Sequence, residues 1–223
     1  MNVLVEISKV NDGNMLVKKD STNIEVKSNR ASFLAKHGIE INQTTLVNID
    51  YDGENYLRYY EVSDGHKGNG MLFDDIVAAD ALVTKSPNHA LFLPIADCVG
   101  AAIYDPIKQI LMLSHLGRHS LEQNGGYESI KYLVNFYGCE PNNLKVWLTP
   151  APGPDVYPMY KFNDRSIKSV VFQQLQSAGI IEENITDNPS DTSKDYDYFS
   201  YSEFLKGNRQ ENGRYAIVTM MKE

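Results

Sequence analysis

The spacing of apolar and polar residues changes several times along the chain, and each change predicts an element. The opening MNVLVEISKVNDGNMLVKKD alternates around Asn11-Asp12-Gly13, which predicts a β-hairpin within residues 1–27, closed by a turn suited to positive φ. SNRASFLAKHGIE reads as a short helix stopped by Gly38. TTLVNIDYDGENYLRYYEVSD returns to strand character, interrupted at Asp52-Gly53, and GHKGNG is a loop. AADALVTKSPNHALFLPIADCVGAAIYDPIKQILMLSH supplies a short strand, a Ser-Pro-Asn turn and two apolar runs split at Asp105-Pro106. Ile130, Leu133, Val134 and Tyr137 fall at helical spacing with Gly138 just beyond, and Asp164 caps a second helix carrying Ile167, Val171, Leu175 and Ala178. GRYAIVTMMK closes the chain as a strand. Interspersed strands and helices with hairpins predict an α+β fold, a single domain with mixed and antiparallel sheets and flanking helices.

The Asp105-Pro106 break gives a register. Asp at the first and Pro at the second position of a type I turn place its ends at Asp105 and Lys108. Opposing residues of an antiparallel pair share a constant sum of numbers, so Cys98 falls directly opposite His115, with Cβ atoms about 4.5–5.5 Å apart. Such a pair suits a nucleophile with its base, or two ligands of a zinc ion that needs a third. It also suits a small buried thiol beside an unrelated strand-end histidine. Spacing alone does not choose among these.

Bulk properties narrow the function classes. The 223 residues, 42% of them hydrophobic, can build a full core, and a formal charge of −8 speaks against nucleic acid or an anionic membrane as partner. No apolar run reaches the length of a membrane span, and the N-terminus lacks the pattern of a signal peptide, so a cytoplasmic location is expected. The two cysteines, Cys98 and Cys139, are too few for a disulfide framework.

Several short motifs, in order, carry a resemblance: SNRASFLAKHGI, HKGNG, ADALVT, ADC, SHLGRHS, YFSY and GRYA. Together they resemble the laccase-domain family, also called polyphenol-oxidase-like or peptidoglycan editing factor-like proteins. The resemblance implies an α+β fold related to the cytotoxic necrotizing factor deamidases and a zinc site of His, Cys, His type. It also implies purine nucleoside phosphorolysis, with adenosine deamination alongside. Cys98 matches the family's cysteine ligand and His115 its second histidine. Asp52 stands where the family has its first histidine, with Asp50 in place of a glutamine, and Ser202 and Glu203 replace a pair of arginines. A carboxylate can bind zinc, but in exchange for an imidazole it removes the site's net positive charge and weakens the metal as a Lewis acid.

The expected machinery is therefore Asp52, Cys98 and His115 on zinc, with Cys98, His115, Asp97 and Arg118 catalytic and Arg118, His119 and Tyr51 binding substrate. The substrates would be a purine nucleoside and phosphate, acted on by a monomer or small homo-oligomer. Two other readings stand beside it: a divergent member that binds a ligand or protein without catalytic metal, and a metal-free Cys/His hydrolase.

Overall fold

The protein is described by a computed structural model covering residues 2–16, 24–76 and 78–223. Its strands are β1 (Asn2–Ile7), β2 (Thr44–Leu46), β3 (Tyr59–Val62), β4 (Ala81–Thr84), β5 (Ala90–Ile95), β6 (Val99–Asp105), β7 (Ile110–Leu116), β8 (Lys145–Leu148), β9 (Pro158–Met159), β10 (Arg165–Ser166), β11 (Ile185–Asp187) and β12 (Tyr215–Lys222). The helices are α1 (Ile24–Lys36), α2 (Arg118–Glu122), α3 (Gly125–Tyr137), α4 (Ile167–Ser177) and α5 (Tyr201–Leu205).

Two sheets pack face to face. One runs β1-β12-β5-β2, the other β11-β8-β6-β7-β4-β3, and each mixes parallel with antiparallel pairs. Leu91, Leu93, Ile95 and Ile217 from the first meet Leu82, Ala102, Leu111 and Leu113 from the second. Phe33 and Leu34 of α1 cover the outer face of the first sheet at Phe92, Ala216 and Val218. Ile130 and Leu133 of α3, with Val170, Val171 and Leu175 of α4, cover Ala101, Ile103 and Met112 on the outer face of the second. Every residue of β6, β7 and β4 is buried, which is why their sequences are continuous apolar runs and not alternations. The fold is mixed α+β, as the interspersed pattern implies. Among the described residues no helix is long and apolar enough to cross a membrane.

Helix stops follow the sequence closely. Gly38 and Gly138 both sit at positive φ, and the Cys139 amide donates back to Leu133 O (3.3 Å), satisfying carbonyls at the end of α3. At α4 the cap differs from expectation: Ser166 takes the role, its Oγ accepting from Ser169 N, because Arg165–Ser166 first pairs with Pro158–Met159 as β10 and β9.

The N-terminal hairpin is not what β1 forms. Its partner is β12, from Asn2 opposite Lys222 to Ile7 opposite Ile217. Val10–Asp12 is a single 3-10 turn, Gly13 has the expected positive φ, and the Met15 amide donates to Arg214 O (2.9 Å). Local alternation names a strand but not its neighbour, and β12, lying between β5 and β1, takes up the backbone of β1. The rest of the expected second arm, residues 17–23, lies outside the described residues.

The β6–β7 hairpin forms, with its register moved by two positions: Asp105 pairs with Ile110, and Gly100, not Cys98, faces His115. Asp105 Oδ1 accepts from the amides of Ile107 (2.8 Å) and Lys108 (2.9 Å), and Gln109 then adopts φ 54 before the strand resumes. That left-handed residue lengthens the loop. An even shift leaves every side chain on its expected face, so Cys98 and His115 become diagonal neighbours on one side.

Candidate functional site

Cys98 precedes β6 and His115 lies near the end of β7. Asp97 has φ 70, a left-handed conformation that Asp tolerates better than most residues other than Gly, and this turns the chain into Cys98. Its buried carboxylate is fully engaged, Oδ2 accepting from Ser202 N at the start of α5 (2.6 Å) and Oδ1 from Thr192 Oγ1 (3.3 Å). Asp97 therefore ties two distant segments to the turn that presents the thiol. His115 is 2% exposed, and its amide donates to Asp80 O (2.8 Å).

Gly117 completes the pair. Its amide donates to Ser120 Oγ (3.1 Å), which also donates to His115 O (3.1 Å), so the turn into α2 curls over the histidine. A Cβ on Gly117 would lie 2.7 Å from His115 Cε1, 2.9 Å from His115 Nε2 and 2.9 Å from Cys98 Sγ. The missing side chain lets the thiol and the imidazole edge close in on the Gly117 backbone, forming a tight cradle that a methyl would overfill. Both ring nitrogens of His115 are buried without a hydrogen-bond partner among the described residues, a costly state that a ligand beside them would relieve.

Desolvation sets the resting protonation of the pair. Burial pushes the Cys98 thiol up to about 12 and Asp97 adds to the rise, against the opposing pull of Arg214, the Tyr157 hydroxyl and Arg118. Burial, then the nearby His119, holds His115 down at about 4. At neutral pH the pair is a neutral thiol and a neutral imidazole, not a thiolate–imidazolium couple.

Around it stand aromatic and cationic groups. Tyr51 meets the His115 ring edge-on at 6.2 Å between centroids. Tyr56 stacks on the exposed His119 at 4.8 Å, and its hydroxyl donates to Tyr51 O (3.0 Å). The Arg118 guanidinium lies over the rings of Tyr157 (4.5 Å) and Tyr160 (5.1 Å), with Nη2 donating to Pro158 O (3.3 Å) and Nε buried without a partner. Arg214 lies over Tyr201 at 5.0 Å and is held by Asn212 and Gly213.

The structure thus brings Cys98, His115, Asp97, Arg118 and Tyr51 together. His119 is at the rim, paired with Tyr56. Asp52 is exposed in the turn begun by Asp50, whose Oδ1 accepts the Asp52 amide (3.0 Å). Among the described residues no three His, Cys, Asp or Glu side chains come close enough to hold a metal ion. Cys98 and His115 supply two donors of suitable chemistry, and the unpartnered imidazole is the kind of group a cation would satisfy, but Asp52 does not complete a three-ligand zinc site. Tyr157 and Arg214 were not singled out by sequence reasoning, although Arg214 lies in GRYA. Asp80, which pairs with Arg58 and whose carbonyl accepts the His115 amide, lies in ADALVT but was not singled out, and Arg58 lies in none of the motifs.

A sheet sandwich flanked by helices on both outer faces defines a class of fold shared with several solved proteins. The chain belongs to the family described as multi-copper polyphenol oxidoreductase laccase, which it matches over residues 5–162. It is 27% identical over 105 residues to the purine nucleoside phosphorylase YlmD of Bacillus subtilis, a match spanning 47% of this chain and 38% of that protein. The structure of a Bacillus licheniformis hypothetical protein, YfiH, superimposes with a TM-score of 0.87 at 20% identity, covering 99% of this chain and 93% of that one. YlmD from Geobacillus stearothermophilus gives 0.86 at 18% identity, covering 99% and 92%. At these identities the structural likeness speaks for the fold.

Proposed function

We propose that the chain is a purine nucleoside phosphorylase whose reaction centre is the cradle over Gly117. The observation that carries this reading is the convergence of Cys98 Sγ and His115 Nε2 on one point over Gly117, with both imidazole nitrogens buried and unpartnered among the described residues. The name of the Bacillus subtilis relative supplies the substrate class.

In phosphorolysis a phosphate oxygen bonds to the sugar C1′, the C1′–N bond to the base breaks, and the departing base takes up a proton. Arg118 and Arg214, whose charges both act on Cys98, are the cations available for the phosphate. The neutral His115 accepts or donates a hydrogen bond at the reacting atoms without first losing a proton. Tyr51 offers a ring for the base to pack against. Asp97 is a positioning residue, since both its oxygens are already used by the protein. Zinc lacks a full set of ligands among the described residues, since Cys98 and His115 give two donors and Asp52 is exposed. Deamination of adenosine at the same cradle is a finer assignment that a product assay separates from phosphorolysis.

A thiol held up to about 12 does not favour the metal-free hydrolase, which needs a ready thiolate. Nucleoside binding without turnover is the second reading, favoured by the exposed position of Asp52. The test is product analysis with adenosine and inosine, with and without phosphate. Phosphate-dependent release of free base supports phosphorolysis, ammonia supports deamination, and calorimetric binding with neither product supports the binding reading.

A further inference from the structure

We propose that Arg58 is a positioning residue that locks the Tyr51 loop onto the Cys98–His115 pair and braces the strand beneath it. The assignment rests on reading that pair as the reaction centre.

Arg58 lies between two carboxylates of different character. Its amide and Nε donate to Asp80 Oδ2 (3.1 and 2.9 Å) and its Nη2 reaches Asp80 Oδ1 (3.4 Å). The Asp80 side chain is only 1% exposed, so this contact is fixed by the cost of leaving a buried carboxylate unpaired. The backbone of the same Asp80 accepts the His115 amide, and Arg58 O in turn accepts the amides of Asp80 (2.7 Å) and Ala81 (3.1 Å). On its other side Arg58 Nη1 donates to Asp50 Oδ2 (3.1 Å) and Nη2 to Asp50 O (2.9 Å). Asp50 is followed by Tyr51, the ring set edge-on against His115. One guanidinium therefore connects the histidine's backbone to the loop that covers its ring.

The far end of that loop is tied independently. Gln123 Oε1 accepts the Tyr56 amide (3.1 Å) and Gln123 Nε2 donates to Glu54 O (2.7 Å). The near end is held at Asp50, by Arg58 and by the Asp52 amide on its Oδ1, and at Tyr51 O by the Tyr56 hydroxyl (3.0 Å). The Tyr51 ring lies edge-on to His115 at 6.2 Å, and His115 and Cys98 Sγ converge on the same point over Gly117. Release of the near end would therefore uncover the thiol while leaving the sheets intact.

The test is the rate of iodoacetamide alkylation at each cysteine of the full chain, read by peptide mass. Cys139, 1% exposed and packed in the core beside Leu133 and Leu144, is the internal control. Asp50→Ala removes the carboxylate that Arg58 Nη1 and the Asp52 amide hold, leaves Arg58 Nη2 on the Asp50 carbonyl, and keeps the buried Arg58–Asp80 pair. It is expected to speed alkylation of Cys98 about tenfold, the scale of a local opening, with Cys139 unchanged. Arg58→Lys should do the same, since a lysine cannot bridge both carboxylates in a fork. Unchanged reactivity at Cys98 in Asp50→Ala, or a parallel rise at both cysteines, would overturn the proposal. Absence of nucleoside turnover in the wild type would remove the phosphorylase reading and leave this result standing.

Discussion

Gly117→Ala is the smallest perturbation that addresses the cradle directly. The backbone there, at φ −95 and ψ 178, accepts alanine without strain, so the effect comes from the added methyl alone. That methyl would stand 2.7–2.9 Å from three atoms of His115 and Cys98, whereas carbon contacts are normally about 3.5–4.0 Å. Thiol and imidazole must each retreat by roughly 0.5–1 Å, and the space between them is then filled. Overpacking of this kind costs about 1–3 kcal/mol of stability, measurable by urea unfolding. Misplacement of reacting groups on that scale costs about a hundredfold in kcat/KM, and occlusion adds to it. The assay is kcat/KM for base release beside the unfolding midpoint, in wild type and variant. A variant that keeps wild-type kcat/KM would refute the reasoning, because it would mean that nothing in the reaction uses the space over Gly117.

Other expectations follow from the same groups. Native alkylation should modify Cys98 slowly and Cys139 hardly at all, with the Cys98 rate still rising through pH 9, since its thiol is held up to about 12; a plateau near neutral pH would restore the thiolate-nucleophile reading. His89, buried on β-sheet residue Thr45 with Nε2 2.7 Å from Thr45 Oγ1, is held down at about 4 by burial. The unfolded chain binds that proton near the ordinary value of 6.5, so stability should be full above it and fall as pH drops, by about 1.5 kcal/mol between pH 6.5 and 5. His89→Gln should flatten that slope in urea unfolding, and an unchanged slope would count against a buried neutral imidazole. Ser166→Ala, which removes the cap of α4, should cost about 1 kcal/mol with kcat/KM unaltered.

How far the sequence could be read depended on whether a feature was local. The stops at Gly38 and Gly138 were legible because positive φ is a property of one residue. The apolar runs of β6 and β7 were legible as buried strands, and the Asp-Pro break located their hairpin. What escaped was pairing. The alternation in β1 carries no information about β12, more than two hundred residues away. The hairpin register slipped because Gln109, a residue with no marked turn preference, takes up the left-handed position. The Cys98–His115 pair survived that slip because an even shift preserves the face. Asp52 did not join it: alignment by motif placed it at a ligand position, while the Asx turn led by Asp50 directs it to solvent. Asp97 was visible as a motif residue, but its hold on Thr192 and Ser202 was not, since those partners come from another part of the chain.

The central claim, that Cys98 and His115 wall a phosphorolytic cradle, is tested most directly by assaying base release from adenosine and inosine. Wild type and Cys98→Ser should be compared, each with metal content determined, in the presence and absence of phosphate. The account predicts phosphate-dependent base release by the wild type and a loss of about a hundredfold or more in the variant. Equal rates in the two proteins, or no base released by well-folded wild type under any of these conditions, would contradict it.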